Sequence, residues 1–293
     1  MMIDQFLDYI RYERNLSVQS VLTYERYLRS FESYFKGLDD GLDWASADAD
    51  VIRDWLASML DKGAKASTVN TALSSVRAFY RFALARKLVK SDPAHMVTGP
   101  KKEKPLPQFV KEREMDDLLD RKEWSDSYKD VRAKTILTML YETGLRVSEL
   151  TSLDDVHVDF ASAQLKVTGK RNKQRLVPFG EELETVVRQY LTIRDEQVAK
   201  QSGALFLTED GRRMTRGQIY SIVHRYLSEV TTLKKRSPHV LRHSFATALL
   251  NHGAGLESVK KLLGHESLET TEIYTHTTFE QLKRTYKNAH PRA

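Results

Sequence analysis

The sequence predicts a mainly α protein of two domains: an N-terminal bundle of four helices, then a larger mixed domain with one small antiparallel sheet. Three observations carry this. A chain of 293 residues is too long for one comfortable core. Apolar residues recur at helical spacing along most of it, and the period shortens to alternation only within residues 156–180. Finally, Pro93, Pro100, Pro105 and Pro107 gather with lysines in "SDPAHMVTGPKKEKPLPQFV", where helix must stop.

In chain order, the first helix is read in "MIDQFLDYIRYE". The second, "SVLTYERYLRSFESYF", has Ser17 as its cap; the third, "DVIRDWLASMLD", has Asp48 or Asp50; the fourth, "STVNTALSSVRAFYRFALAR", has Ser67. These form a domain of residues 1–98, and the proline-rich stretch 99–108 is a linker. Residues 109–293 open with helices in "KEREMDDLLD" and "DVRAKTILTMLYETG", the latter ended by Gly144 in the left-handed conformation. "VHVDF", "AQLKVTG" and "QRLVPFG" then read as three strands, with "GKRNKQ" as a long hairpin tip. From "EELETVVRQYLTIRDEQ" onward the pattern is helical again.

Hydrophobic content of 41% against 29% charged residues describes a folded globular chain. No apolar run reaches membrane-span length, and the N-terminus carries acids where a signal peptide needs a basic start. The absence of cysteine excludes disulfides and thiolate metal sites and fits a reducing, cytoplasmic location. The net charge of +6 suggests a polyanionic partner. Residues 1–100 carry 13 basic and 13 acidic side chains, so the excess lies beyond them. Even there the signs segregate: residues 39–61 hold seven acids against Arg53, whereas residues 62–90 hold Lys62, Lys65, Arg77, Arg81, Arg86, Lys87 and Lys90 with no acid. The basic stretch interleaves Ser, Thr and Asn, the mixture that contacts a phosphate backbone, so DNA contact is the expectation. A solvated helix face is the alternative.

Chemistry is suggested by polar residues on turns and helix ends. In "SPHVLRHSFATALLNHG", Ser237 can cap and Pro238 fits the first turn, which puts His239 and Arg242 on one face at an anion-attracting N-terminus. Arg146 follows the helix-ending glycine in "YETGLRVSEL"; such an arginine either serves a site or bonds carbonyls of the preceding helix. Lys170 sits on a hairpin tip with Arg171, Lys173 and Arg175. In "LLGHESLETTEIYTH", His265 follows a glycine, and Tyr274 has only Ile273 as a large apolar neighbour. Together these are the parts for nucleophilic attack on a phosphodiester. A phenol is a weak nucleophile until a base or positive field activates it. Two guanidiniums can clamp the extra charge of a pentacoordinate phosphorus, and a proton donor is needed for the leaving sugar oxygen. There is no carboxylate cluster or His-x₃-His pattern for a metal and no Walker-type phosphate loop, so neither a metal nor another cofactor is expected.

At this point the chain resembles the tyrosine recombinase (phage integrase) family over nearly its whole length. "TGLRVSEL", "VTGKRNKQRLVP", "HVLRHSFAT" and "LLGHESLETTEIYTH" stand in the family's order and spacing. The resemblance implies a two-domain DNA clamp, an N-terminal SAM-like core-binding domain with a C-terminal catalytic domain. It implies Tyr274 as nucleophile forming a 3′-phosphotyrosyl bond, Arg146 and Arg242 on the scissile phosphate, and His265 completing the pocket. His239 would accept the phenol's proton, Lys170 would be the acid, and His276 would be structural. With no room for an arm-binding domain ahead of the bundle, the chain is similar to the Xer group, which resolves chromosome dimers, and to compact integrases of mobile elements. Four protomers on two duplexes are implied, with the last helix docking on a neighbour through Phe279, Leu282 and Tyr286. Docking of that helix in cis is the alternative, and a second recombinase and a septal DNA translocase are possible partners. Competing readings are a DNA-binding regulator without chemistry and a monomeric type IB topoisomerase.

Overall fold

The computed structural model of the protein describes residues 2–101, 108–169, 172–264 and 276–292, with 276–280 described in backbone only. The chain divides into two compact units, Met1–Pro105 and Leu106–Ala293.

The first unit contains α1 (Met2–Asp8), which runs into a π-helical turn Tyr9–Glu13, then α2 (Val18–Leu38), α3 (Ala49–Asp61) and α4 (Ala66–Ala85). Its core is aromatic: Phe6, Phe31, Phe35, Trp44, Trp55, Phe79 and Tyr80 are all buried. Ser17 caps α2 by accepting from Ser20 N–H, and Asp48 caps α3 by accepting from Asp50 and Val51 N–H. Ser67 does not cap α4. The cap position is Lys65, two residues earlier, with its carbonyl accepting from Thr68 and Val69, so Ser67 lies inside the first turn.

The second unit is built around α6 (Tyr128–Thr143), buried on nearly every side. It follows α5 (Glu112–Asp116) and a π-helical turn Asp117–Arg121. Gly144 ends α6 at φ +60°, and a Cβ there would stand 2.4 Å from the Phe245 ring. This glycine therefore supplies both the left-handed turn and the close approach of a later helix. After α7 (Val147–Thr151) come β1 (Val158–Asp159), β2 (Gln164–Thr168) and β3 (Gln174–Pro178), an antiparallel sheet in the order β1-β2-β3. Leu165 pairs with Val177 and Val167 with Arg175, so these four side chains share the buried face.

The remaining helices are α8 (Glu181–Gln197), α9 (Arg216–Val230), α10 (Pro238–Asn251), α11 (Leu256–Leu263) and α12 (His276–Ala289). The chain between α8 and α9 is not helical, contrary to the periodicity. Residues 204–207 are buried irregular chain with isolated bridges at Ala204 and Leu207, held by Arg194, which bonds Asp155 and the Leu205 carbonyl. Ser237 stands at the N-cap position of α10, but its hydroxyl makes no capping bond. Leu282 and Tyr286 of α12 pack in cis with Phe245, Leu249, Leu262 and Leu263, and the Tyr286 hydroxyl donates to buried Glu142 (3.4 Å). The neighbour-docking face implied by the resemblance is, for these two residues, occupied by the chain's own domain; the Phe279 side chain lies outside the described residues. No helix among the described residues is long and apolar enough to cross a membrane.

Candidate active site

Helix ends of the second unit bring charged side chains together around Gly144. Arg242 enters from the first turns of α10 and is 6% exposed. Its Nη1 donates to the Gly144 carbonyl (2.5 Å) and its Nη2 to the Leu263 carbonyl (2.6 Å). Both acceptors lie at helix C-termini, where orphan carbonyls and the helix dipole favour a cation. A guanidinium has five N–H donors, so these two anchors leave others to bind an anion.

Arg146 stands just before α7 and is half-buried. Its Nη1 donates to Glu149 Oε1 (2.9 Å), and its backbone N–H donates to Glu149 Oε2 (2.9 Å). Glu149 is buried and also receives both ends of the Arg175 guanidinium, at 2.8 and 3.0 Å. Burial alone would raise the Glu149 pKa; the hydrogen bonds and charge of Arg175, followed by those of Arg146, outweigh it and hold the carboxyl at about 2. Arg242 shows the opposite balance. Burial first, then the nearby charges of Arg146 and Arg175, bring its pKa down to about 10, against the attraction of Glu149. The described cluster thus holds three guanidiniums around one carboxylate, an anion site with an excess of two positive charges. His239 is on the first turn of α10, exposed, one turn from Arg242.

Lys170, Arg171, His265 and Tyr274 lie outside the described residues. Lys173 is exposed beside β3, and Glu149, Arg175 and Arg242 hold the sheet and the end of α11 around Arg146. In the first unit Lys62, Lys65 and Arg81 are exposed. Arg77 is not presented in the same way: it donates to the Ala94 carbonyl (3.2 Å) and the Val97 carbonyl (2.5 Å), bracing the turn after α4. The hydroxyls of Thr71, Ser74 and Ser75 donate to carbonyls four residues back, so their protons are already used within the helix. Among the described residues no cluster of His, Asp or Glu could hold a metal.

The sequence model of the phage integrase family matches residues 108–281, and that of the phage integrase N-terminal SAM-like domain matches residues 3–87. The chain belongs to the phage integrase family of tyrosine recombinases. As a member it is a DNA strand-exchange enzyme. It is 38% identical over 301 residues to tyrosine recombinase XerC of Pelotomaculum thermopropionicum, covering 99% of this chain and 98% of that one. It is 36% identical over 294 residues to tyrosine recombinase XerD of Oceanobacillus iheyensis, again covering 99% and 98%. In fold the recombinase superposes on the XerH site-specific recombinase bound to a palindromic difH substrate with a TM-score of 0.72, at 22% identity, over 96% of this chain and 83% of that one.

Glu149 was not among the sequence's candidates, and Arg175, expected on the basic hairpin tip, lies instead within β3 and is buried. A signal existed for each. Glu149 is three residues after Arg146, where a carboxylate bonds back to a helix start. Arg175 shares the parity of Val177 and Phe179, the side of "QRLVPF" that is buried.

Proposed function

We propose that this recombinase exchanges strands between specific DNA sites through a covalent tyrosine intermediate, in an Xer-type role of resolving chromosome dimers. The Tyr274 hydroxyl oxygen attacks the scissile phosphorus; the bond from phosphorus to the 5′ oxygen breaks, leaving a 3′-phosphotyrosyl bond and a free 5′-hydroxyl. The phenol's proton passes to His239, and Lys170 protonates the departing 5′ oxygen. Arg146 and Arg242 hold the two nonbridging oxygens, and His265 completes the pocket. Because the phosphotyrosyl linkage conserves the phosphodiester bond energy, a 5′-hydroxyl from a second duplex reverses the step without ATP.

One observation carries this reading. Arg242 is buried, fixed on two helix-end carbonyls and electrostatically coupled to Arg146, as a preorganised phosphate clamp requires. Residues 1–98 act as the core-binding domain and residues 109–293 as the catalytic domain, joined through 99–108. Lys62, Lys65, Arg81, Arg171 and Lys173 contact the DNA backbone, while Arg77 acts through the turn it braces. The working assembly is a tetramer of like or paired recombinases on two duplexes in the cytoplasm, open to activation by a septal translocase. Identity to Xer-named relatives along 99% of the chain supports this role over mobile-element integration.

The test is a nicked suicide substrate, on which cleavage traps the adduct. The wild-type chain forms a denaturant-resistant protein–DNA adduct, and Tyr274→Phe binds the same DNA without forming one. An adduct persisting in that variant moves the nucleophile elsewhere. Binding without any wild-type adduct makes the chain a regulator, and recovery of a mobile-element end as the bound site replaces the Xer-type role.

A further inference from the structure

Arg175 is a buried cation beside Arg146 and Arg242 that the proposed chemistry does not use. Three of its contacts lead to different parts of the site. Its Nη1 and Nη2 grip the two oxygens of Glu149, the carboxylate that also fixes the Arg146 guanidinium and backbone. Its Nε donates to the Leu262 carbonyl (3.3 Å) at the end of α11. Its aliphatic stem and guanidinium lie against Gly264, where φ is +62° and an added Cβ would come within 3.1 Å of the Arg175 Cδ. The strand that carries it, Gln174–Pro178, begins four residues after Lys170 in sequence.

The register that buries Val177 carries Arg175 to the same face, where an apolar side chain would serve a sheet that needed only packing. A buried cation is costly unless paired and bonded, and replacing such a pair by apolar groups is often neutral or stabilising. The arrangement makes better sense through what Glu149 does for Arg146. With one cationic partner, the buried carboxylate would draw the Arg146 guanidinium onto both its oxygens. With Arg175 gripping both oxygens, the Arg146 guanidinium bonds only Oε1, through Nη1, while its backbone N–H bonds Oε2.

We propose that Arg175 is a positioning residue for recombination: through the shared Glu149 carboxylate it sets Arg146 against the scissile phosphate, and through Leu262 and Gly264 it fixes the end of α11. This rests on the reaction proposed above. Arg175 itself touches no DNA.

The test measures single-turnover cleavage by the full-length chain at saturating DNA, with binding measured separately. Arg175→Gln and Arg175→Lys are the variants, the second keeping the charge but losing the two-pronged grip. Each is assayed on an ordinary phosphodiester and on a substrate whose scissile phosphate has one nonbridging oxygen replaced by methyl. That replacement removes a negative charge and so lessens dependence on the arginine cradle. Cleavage of the phosphodiester should fall at least about tenfold with binding changed less than about threefold, and the deficit should shrink at least about threefold on the methyl substrate. A wild-type rate, or an equal deficit on both substrates, overturns the proposal. Should Arg175→Gln fail to fold, Arg175→Lys decides by the same criteria. If the wild-type chain forms no Tyr274-dependent adduct, the proposed reaction fails; if it does and the Arg175 variants cleave normally, only the positioning role fails.

Discussion

Replacing Arg242 separates a phosphate clamp from a structural cation, provided the replacement is chosen with its anchors in view. The guanidinium spends one N–H on the Gly144 carbonyl and one on the Leu263 carbonyl, both buried. Arg242→Ala strips a charged partner from each, at about 1–3 kcal/mol per orphaned group, so a loss of catalysis in that variant is confounded with a loss of stability. Arg242→Lys keeps the charge and has three donors. If two still serve the carbonyls, one remains for phosphate, and the planar two-pronged grip is lost. Removing one such preorganised donor is worth about 2.7–4 kcal/mol in the transition state, a rate loss of about 10²–10³. Arg242→Lys should therefore cleave a nicked suicide substrate at least about a hundredfold more slowly at saturating DNA, while its dissociation constant changes by no more than about fivefold. Thermal unfolding, followed in parallel, should place Arg242→Lys nearer the wild type than Arg242→Ala. Equal losses in binding and cleavage would refute the reasoning and make Arg242 a DNA anchor.

Three further outcomes follow from the same structure. Glu149 has a folded pKa of about 2 against an ordinary 4.5, so its pairing adds stability that is full above pH 4.5 and lost as pH falls through 2; urea titrations between these values should show a loss of about 3 kcal/mol that Glu149→Gln lacks. Glu142 is the opposite case. Burial, then the charge of Glu182, raises its pKa well above 4.5, so stability is lost as pH rises beyond 4.5, and the melting temperature of Glu142→Gln relative to wild type should rise from pH 5 to pH 8. Exposed Lys65 and Arg81 are counted as phosphate contacts: alanine at either should lower the slope of log binding constant against log salt by about 0.9, leaving cleavage at saturation intact, whereas Arg77→Ala should first lower the melting temperature.

What could be read from sequence was whatever local rules determine. The apolar spacing of α2, α3 and α6, the Gly144 stop and the three-strand alternation are all encoded within a few residues of themselves. The chain between α8 and α9 was not legible, because Ala204–Leu207 is buried through Arg194, Asp155 and Tyr190, partners supplied by other elements. The same limit governed the site. Arg146, His239 and Arg242 stood out because they sit at helix starts. Glu149 and Arg175 join the cluster only through each other, across 26 residues of chain, and the Arg77 side chain is committed to two carbonyls that its own helix does not contain.

Under the reaction proposed above, the charge count of the cluster gives a reason for so costly an arrangement. Arg146, Arg175 and Arg242 face one carboxylate, Glu149, and burial together with mutual repulsion lowers the Arg242 pKa to about 10. A phosphodiester brings one negative charge and relieves part of that repulsion; the pentacoordinate transition state brings about two and relieves more. Under that reaction, an excess of two positive charges, fixed by carbonyls and a carboxylate before DNA arrives, would favour the transition state over bound substrate without reorganisation. Placing a second carboxylate in the cluster would stabilise Arg242 and the fold while slowing cleavage. That trade is the signature expected of an electrostatic clamp and not of a structural ion pair.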